Sequence, residues 1–269
     1  EYHRYYDIPV WNADGSLMTF FTGRRGRNER WIMRADGSAP RPMPGENGPA
    51  MRDAYWDMSD PHILFHADYE RAEARIEKVR VRSVNVLTGE ERTLLELDGG
   101  VGPMQPPHPS GEYFLFGTRS RAPDEATSAT VAGLDGSIQT VRFERRWHRL
   151  RFTKSPDRRI FFNFDEPRTQ WTVLPDGSGR HEIPDTGGHP DWTMDGAELT
   201  YFNAGSIWGI RFDGSAKRLI YELGGGGHGG PTLDGDWFIS DSYHAGPAPT
   251  ALFHIKMDGS KEARPVFVT

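Results

Sequence analysis

The sequence predicts an all-β protein, a β-propeller of four-stranded antiparallel blades. Three observations carry this prediction. Asp-Gly-type turn tags recur in two interleaved sets along the chain, short aromatic and β-branched runs lie between them, and no long segment has helical periodicity.

The leading tags are Asp14-Gly15, Ser59-Asp60-Pro61, Pro109-Ser110-Gly111, Ser155-Pro156-Asp157, Met194-Asp195-Gly196 and Leu233-Asp234-Gly235. The trailing tags are Asp36-Gly37, Thr88-Gly89, Asp135-Gly136, Asp176-Gly177, Asp213-Gly214 and Asp258-Gly259, with a period of roughly 37 to 52 residues. A strand pattern follows each leading tag, as in Leu17–Phe21, His62–Phe65, Tyr113–Phe116, Arg159–Phe162, Leu199–Phe202 and Trp237–Ile239. A second precedes each trailing tag: Trp31–Met33, Val84–Val86, Thr130–Ala132, Trp171–Val173, Ile207–Ile210 and Leu252–Ile255. Asp-Gly between two such runs predicts a tight type I′ hairpin with positive φ at both central positions. A further strand follows most trailing tags, as in Gln139–Val141 and Arg218–Tyr221, and one precedes each leading tag, as in Ile8–Trp11.

Four strands per unit of about 45 residues make a propeller blade. The blades fall at about 4–50, 51–100, 101–145, 146–185, 186–225 and 226–269, read as a single domain. Either six blades close simply or the chain belongs to a larger ring, for instance one of seven. Tyr69 to Arg80, rich in Glu, Arg and Ala, reads as a long charged loop or short helix in the second blade.

Composition narrows the function classes. A net charge of -6 and a pI near 5.9 argue against a nucleic-acid footprint. No apolar run approaches a membrane span. The absence of cysteine rules out disulfides and thiolate metal sites. It leaves the compartment open: cytoplasmic, or periplasmic or secreted after loss of a leader, since Glu1–Tyr6 reads like protein interior. The Walker loop, HExxH and the G-x-S-x-G elbow are all absent.

Propeller sites gather where loops enter the first strands. His189 and His228 each lie six residues before the Asp of their tags, His148 lies nine before Asp157, and His108 three before Gly111. Neutral imidazoles converging on one mouth suit a divalent transition metal or general-base chemistry. The plainer reading is that each histidine caps a strand end. His228 stands within Gly224-Gly225-Gly226-Gly227-His228-Gly229-Gly230, where glycine permits close backbone approach or simply a flexible loop. Arg24, Arg25 and Arg27, with Arg145, Arg146, Arg149 and Arg151, sit near the same entrances. Arginine forks bind carboxylates, which suggests an anionic substrate; solvated surface charge is the alternative. Trp11, Trp147 and Trp192 could offer sugar-stacking faces or fill blade cores.

Tyr2-His3-Arg4-Tyr5-Tyr6 leading into Trp11-Asn12-Ala13-Asp14-Gly15, and Gly188-His189-Pro190-Asp191-Trp192-Thr193-Met194-Asp195-Gly196, resemble blade entrances of the oligogalacturonate lyases. The likeness to TolB-type and WD40-like propellers is looser. The resemblance implies a divalent metal, manganese, held by His189 and with it His228, and His148 as the proton-abstracting base. Arg149 or Arg151 would then hold a carboxylate, with Arg24, Arg25, Gln105, His108 and Trp192 as substrate contacts. The implied substrate is an acidic oligosaccharide, cleaved by β-elimination. The chain departs from the family in one respect. The Gln-x-x-His-x-His motif of a later blade is missing, and Gln105-Pro106-Pro107-His108 has part of that spacing in another blade. A non-catalytic propeller that binds a protein or glycan is the alternative function.

Overall fold

A computed structural model describes residues 10–23, 29–45, 54–72, 75–118, 127–164, 169–184, 187–225, 227–241 and 251–268. Among them there is no helix, so none long and apolar enough to cross a membrane. The chain divides into two compact units, Glu1–Glu144 and Arg145–Thr269.

The first unit holds β1 (Leu17–Thr22), β2 (Glu29–Arg34) and β3 (Arg41–Pro42); β4 (Ala54–Trp56), β5 (Ile63–Ala72), β6 (Arg75–Asn85) and β7 (Glu91–Asp98); and β8 (Tyr113–Thr118), β9 (Thr127–Gly133) and β10 (Ile138–Phe143). Each group is one antiparallel sheet with strands in sequence order. Where first strands would stand in the two three-stranded sheets, single bridges pair Trp11 with Met18 and Met104 with Phe116. The second unit holds three four-stranded sheets. They are β11 (Trp147–Phe152), β12 (Ile160–Phe164), β13 (Gln170–Val173) and β14 (His181–Ile183); β15 (Gly188–Trp192), β16 (Leu199–Asn203), β17 (Ser206–Ile210) and β18 (Arg218–Glu222); and β19 (Gly229–Pro231), β20 (Trp237–Asp241), β21 (Ala251–Lys256) and β22 (Ala263–Val268).

Within each unit the core lies between successive sheets. Leu199 and Tyr201 of β16 pack with Phe161 and Ile183 of the preceding sheet, while their neighbour Phe202 packs with Phe238 and Ile255 of the next. Leu64 and Phe65 of β5 divide in the same way between two clusters. Alternate side chains of a strand point to opposite faces, so a sheet covered on both sides must be apolar at every position. That is why the runs after the leading tags read as continuous aromatics.

The trailing tags fold differently from the predicted type I′ turn. Only the glycine takes positive φ, +81° at Gly37 and +86° at Gly177. Gly37 N–H donates to Arg34 O and Arg34 N–H to Ser38 O, which is a type I turn followed by a left-handed glycine. The Asp accepts from the Ser two residues on, as in Ser38→Asp36 at 2.8 Å and Ser178→Asp176 at 2.8 Å. That carboxylate bond holds the Asp out of the left-handed region and leaves the positive φ to glycine.

The Tyr69–Arg80 segment is also not a loop or helix. It belongs to the β5–β6 hairpin, where Ile76, Val79 and Val81 are buried and charged residues face out. Cross-strand pairs tie that outer face together: Arg82–Asp68 at 2.9 Å and Arg80–Glu96 at 3.0 Å, with Glu70 on Arg80 as well. Charge richness therefore concealed a period of two.

Within this sheet His66 is only 2% exposed. Burial holds its pKa below 6.5, opposed by Asp68 and Glu91 and assisted by Arg82 and Arg30. The unfolded chain protonates His66 near 6.5, whereas the folded protein resists the proton. The stabilising contribution is thus complete above that pH and is lost as pH falls toward the lowered folded value. Denaturant unfolding should show stability falling on acidification by up to about 1.4 kcal/mol per pH unit from this site. The slope should be shallower in His66→Gln; equal slopes would remove His66 as the cause.

Candidate functional site

The second unit brings three of the predicted histidines to the beginnings of its three first strands. His148 lies in β11 at a register shift: Trp147 pairs with Phe164 and Arg149 with Asn163, leaving His148 as the extra residue. A β-bulge re-aims a side chain, and His148 is exposed. Asn163 Oδ1 accepts the Arg149 N–H at 2.8 Å, so the bulge is braced from β12.

His189 occupies a second bulge. Gly188 pairs with Phe202 and Asp191 with Thr200, so one residue of β15 is in excess, and His189 itself has φ of +54°. A non-glycine residue in this region stores strain and persists only where its surroundings fix it. The fixing groups come from the preceding sheet. Arg151 donates to Pro190 O at 2.5 Å and to Asp191 Oδ1 at 3.1 Å, and Lys154 Nζ donates to Trp192 O at 2.7 Å.

His228 precedes β19. Its N–H donates to Asp241 Oδ1 at 2.7 Å, and its Nδ1 lies 3.2 Å from Asp241 Oδ2. The adjacent glycines serve close approach rather than flexibility. A Cβ on Gly227 would stand 2.7 Å from Asp241 O, and one on Gly229 2.0 Å from Ile239 O.

The rings of His189 and His228 meet at 4.4 Å between centres with a 71° interplanar angle. They open on a cleft of about 220 Å³ lined also by Phe202, Asn203 and glycines 188, 205 and 227. Burial depresses the His189 pKa, with His228 and Arg149 adding to the effect against Asp241. His189 is therefore a neutral imidazole near neutral pH, the form that ligates metals or accepts protons.

Among the described residues no group of three or more His, Asp or Glu forms a metal site. The two imidazoles nevertheless fit a divalent cation as one arm of an open site. With metal–nitrogen bonds of ~2.1 Å, imidazoles at adjacent coordination positions hold their centres roughly 4.5–5.5 Å apart, so 4.4 Å stands at the close end of that spacing. The carboxylate on His228 matches the outer-shell partner that metal-binding histidines keep.

Several predicted site residues sit elsewhere. Arg151 is 8% exposed and engaged by Pro190 and Asp191, so its fork braces the His189 bulge instead of facing a substrate. Trp192 is fully buried against Phe161 and has no face for a sugar. His108 belongs to the first unit and follows its bridge strand at Met104, at the turn end. There its Nδ1 meets Ser110 Oγ at 3.0 Å and its ring edge meets Tyr113, the strand-capping role. An offset of three from the tag glycine, rather than seven, puts it at the opposite end of its strand from His189 and His228. Gln105 Nε2 donates to Pro103 O at 3.2 Å in the same unit. Arg24 and Arg25 lie outside the described residues, as do Arg27, His3 and His244. The bracing residues Asn163 and Asp241 escaped the sequence reading. A lone Asn within Ile160-Phe161-Phe162-Asn163-Phe164, and the repeated Gly-Gly-His before His189 and His228, were their available signals.

These sheets and their turn-tagged repeats define a β-propeller. Solved structures agree in fold: an oligogalacturonate lyase in complex with manganese superposes with a TM-score of 0.71 at 16% identity, over 98% of this chain and 77% of that one. The oligogalacturonate lyase of Vibrio parahaemolyticus gives 0.69 at 13% over the same shares, and TolB from Acinetobacter baumannii 0.52 at 12% over 96% and 63%. No protein-family model matches the chain, and no curated protein matches it in sequence.

The bracing roles are testable by stability. Arg151→Ala should cost about 2 kcal/mol, as expected for lost bonds to a charged donor, and Trp192→Ala about 3–5 kcal/mol from its cavity. Denaturant midpoints check both. An unchanged midpoint in either variant would return that residue to the candidate substrate contacts.

Proposed function

We propose that this propeller is a polysaccharide lyase acting on short uronic-acid oligosaccharides by β-elimination. The observation that carries the reading is the paired imidazoles of His189 and His228 on one cleft, with the bulge-borne His148 at the start of the neighbouring first strand. The fold likeness to two oligogalacturonate lyases, one a manganese complex, supports it.

In this reading His189 and His228 would hold a divalent cation, manganese by analogy. Such a cation supplies positive charge for the substrate carboxylate, which acidifies the proton on the adjacent C5. His148 accepts that proton as general base. The C5–H electron pair becomes the C4–C5 double bond, the C4–O bond breaks, and the departing oxygen takes a proton from solvent. Arg149, beside His148 and held by Asn163 through its backbone, is the guanidinium for a second substrate carboxylate.

Oligogalacturonides incubated with the protein and Mn²⁺ should give rising ultraviolet absorbance from an unsaturated uronate. His148→Ala should lower the rate by roughly 100-fold or more. No absorbance change across several uronic-acid substrates would end the lyase reading. The TolB likeness supports the second reading, a non-catalytic binding platform. A protein that takes up no metal and shows no turnover would favour it.

A further inference from the structure

Asp241 makes two bonds to one residue. Its Oδ1 accepts the His228 backbone N–H at 2.7 Å, and its Oδ2 lies 3.2 Å from the His228 Nδ1. The Asp241 N–H in turn donates to His228 O at 3.0 Å, so backbone and side chain close on the same partner. An ionised carboxylate only accepts hydrogen bonds, so the ring nitrogen facing it must carry the hydrogen. In the neutral ring the lone pair then resides on Nε2.

The surroundings keep this arrangement in place. Gly227 admits the close approach of Asp241 O, and Ser240 Oγ donates to the same carbonyl at 2.9 Å. The His228 ring is meanwhile held 4.4 Å from that of His189 on the cleft.

We propose that Asp241 is a positioning residue that locks His228 as the Nδ1–H tautomer, leaving Nε2 as the ligating nitrogen. This rests on the metal-assisted reading above and adds to it a residue that touches neither substrate nor metal. Asp241→Asn is the informative change, being nearly isosteric. The amide can still accept the backbone N–H through its oxygen, but its NH₂ then faces Nδ1 and favours the opposite tautomer, with hydrogen on Nε2.

Nitrogen-15 correlation spectra of the histidine side chains in the metal-free protein read the tautomer directly. The wild type should show His228 protonated at Nδ1, and Asp241→Asn should move the hydrogen to Nε2. Calorimetric titration with Mn²⁺ should show binding weakened by roughly 10- to 100-fold in the variant. A wild-type His228 protonated at Nε2 overturns the proposal without any variant, which covers the case of a misfolded mutant. Equal Mn²⁺ affinity in wild type and a folded variant overturns it as well. A wild type that binds no Mn²⁺ while showing the Nδ1–H tautomer overturns the metal reading instead, and with it this role in metal capture.

Discussion

Burial of both faces of the second strands is the constraint from which the rest follows. In β12 every residue from Ile160 to Phe164 is buried, and in β16 only Asn203 at the end is partly open. A polar group admitted to such a strand must find a partner inside the sheet. Asn163 finds the Arg149 N–H, Thr200 the Asp191 carbonyl, and Asp241, at the end of β20, the His228 N–H. The partners lie on first strands or, for His228, just before one, at or beside the histidines. The same requirement that makes the sheets apolar thus supplies the few polar groups that brace the backbone around the histidines.

Two of the three histidines exploit an irregularity that a regular ladder forbids. One extra residue in β11 and one in β15 free a side chain from the alternation of faces. His189 carries the larger cost, a left-handed backbone on a β-carbon-bearing residue, and it also has the denser bracing, with Arg151 and Lys154 reaching over from the preceding sheet. His228 solves the same problem through glycine neighbours that let two backbones nearly touch. Strain and support occur together, as expected where a backbone outlier is kept for use.

The fold was largely legible because its signals are local. Turn tags and strand runs need only neighbouring residues, and the sheets fall where the tags put them. The misreadings have non-local or side-chain causes. The β5–β6 hairpin was hidden because its outer face is charged, and a period of two shows only through Ile76, Val79 and Val81. The tag geometry turned on whether the Asp carboxylate binds the next Ser, a bond that composition does not reveal. In the site, distance from a tag placed His189 beside His228, whereas the same ruler misled for His108, since four residues along a strand reverse its end. Arg151 and Trp192 were read by residue type, and burial set at long range decides what an arginine or tryptophan can reach.

The Arg151 contact has a mechanical side. Its guanidinium is anchored in one sheet and grips the carbonyl beside His189 in the next. The backbone at His189 therefore cannot shift without loading the seam between these two sheets. A ligand that drew this backbone into place would therefore also tighten the joint, as two linked equilibria. The site works as a clasp, and loosening of the joint would be felt first at the histidine.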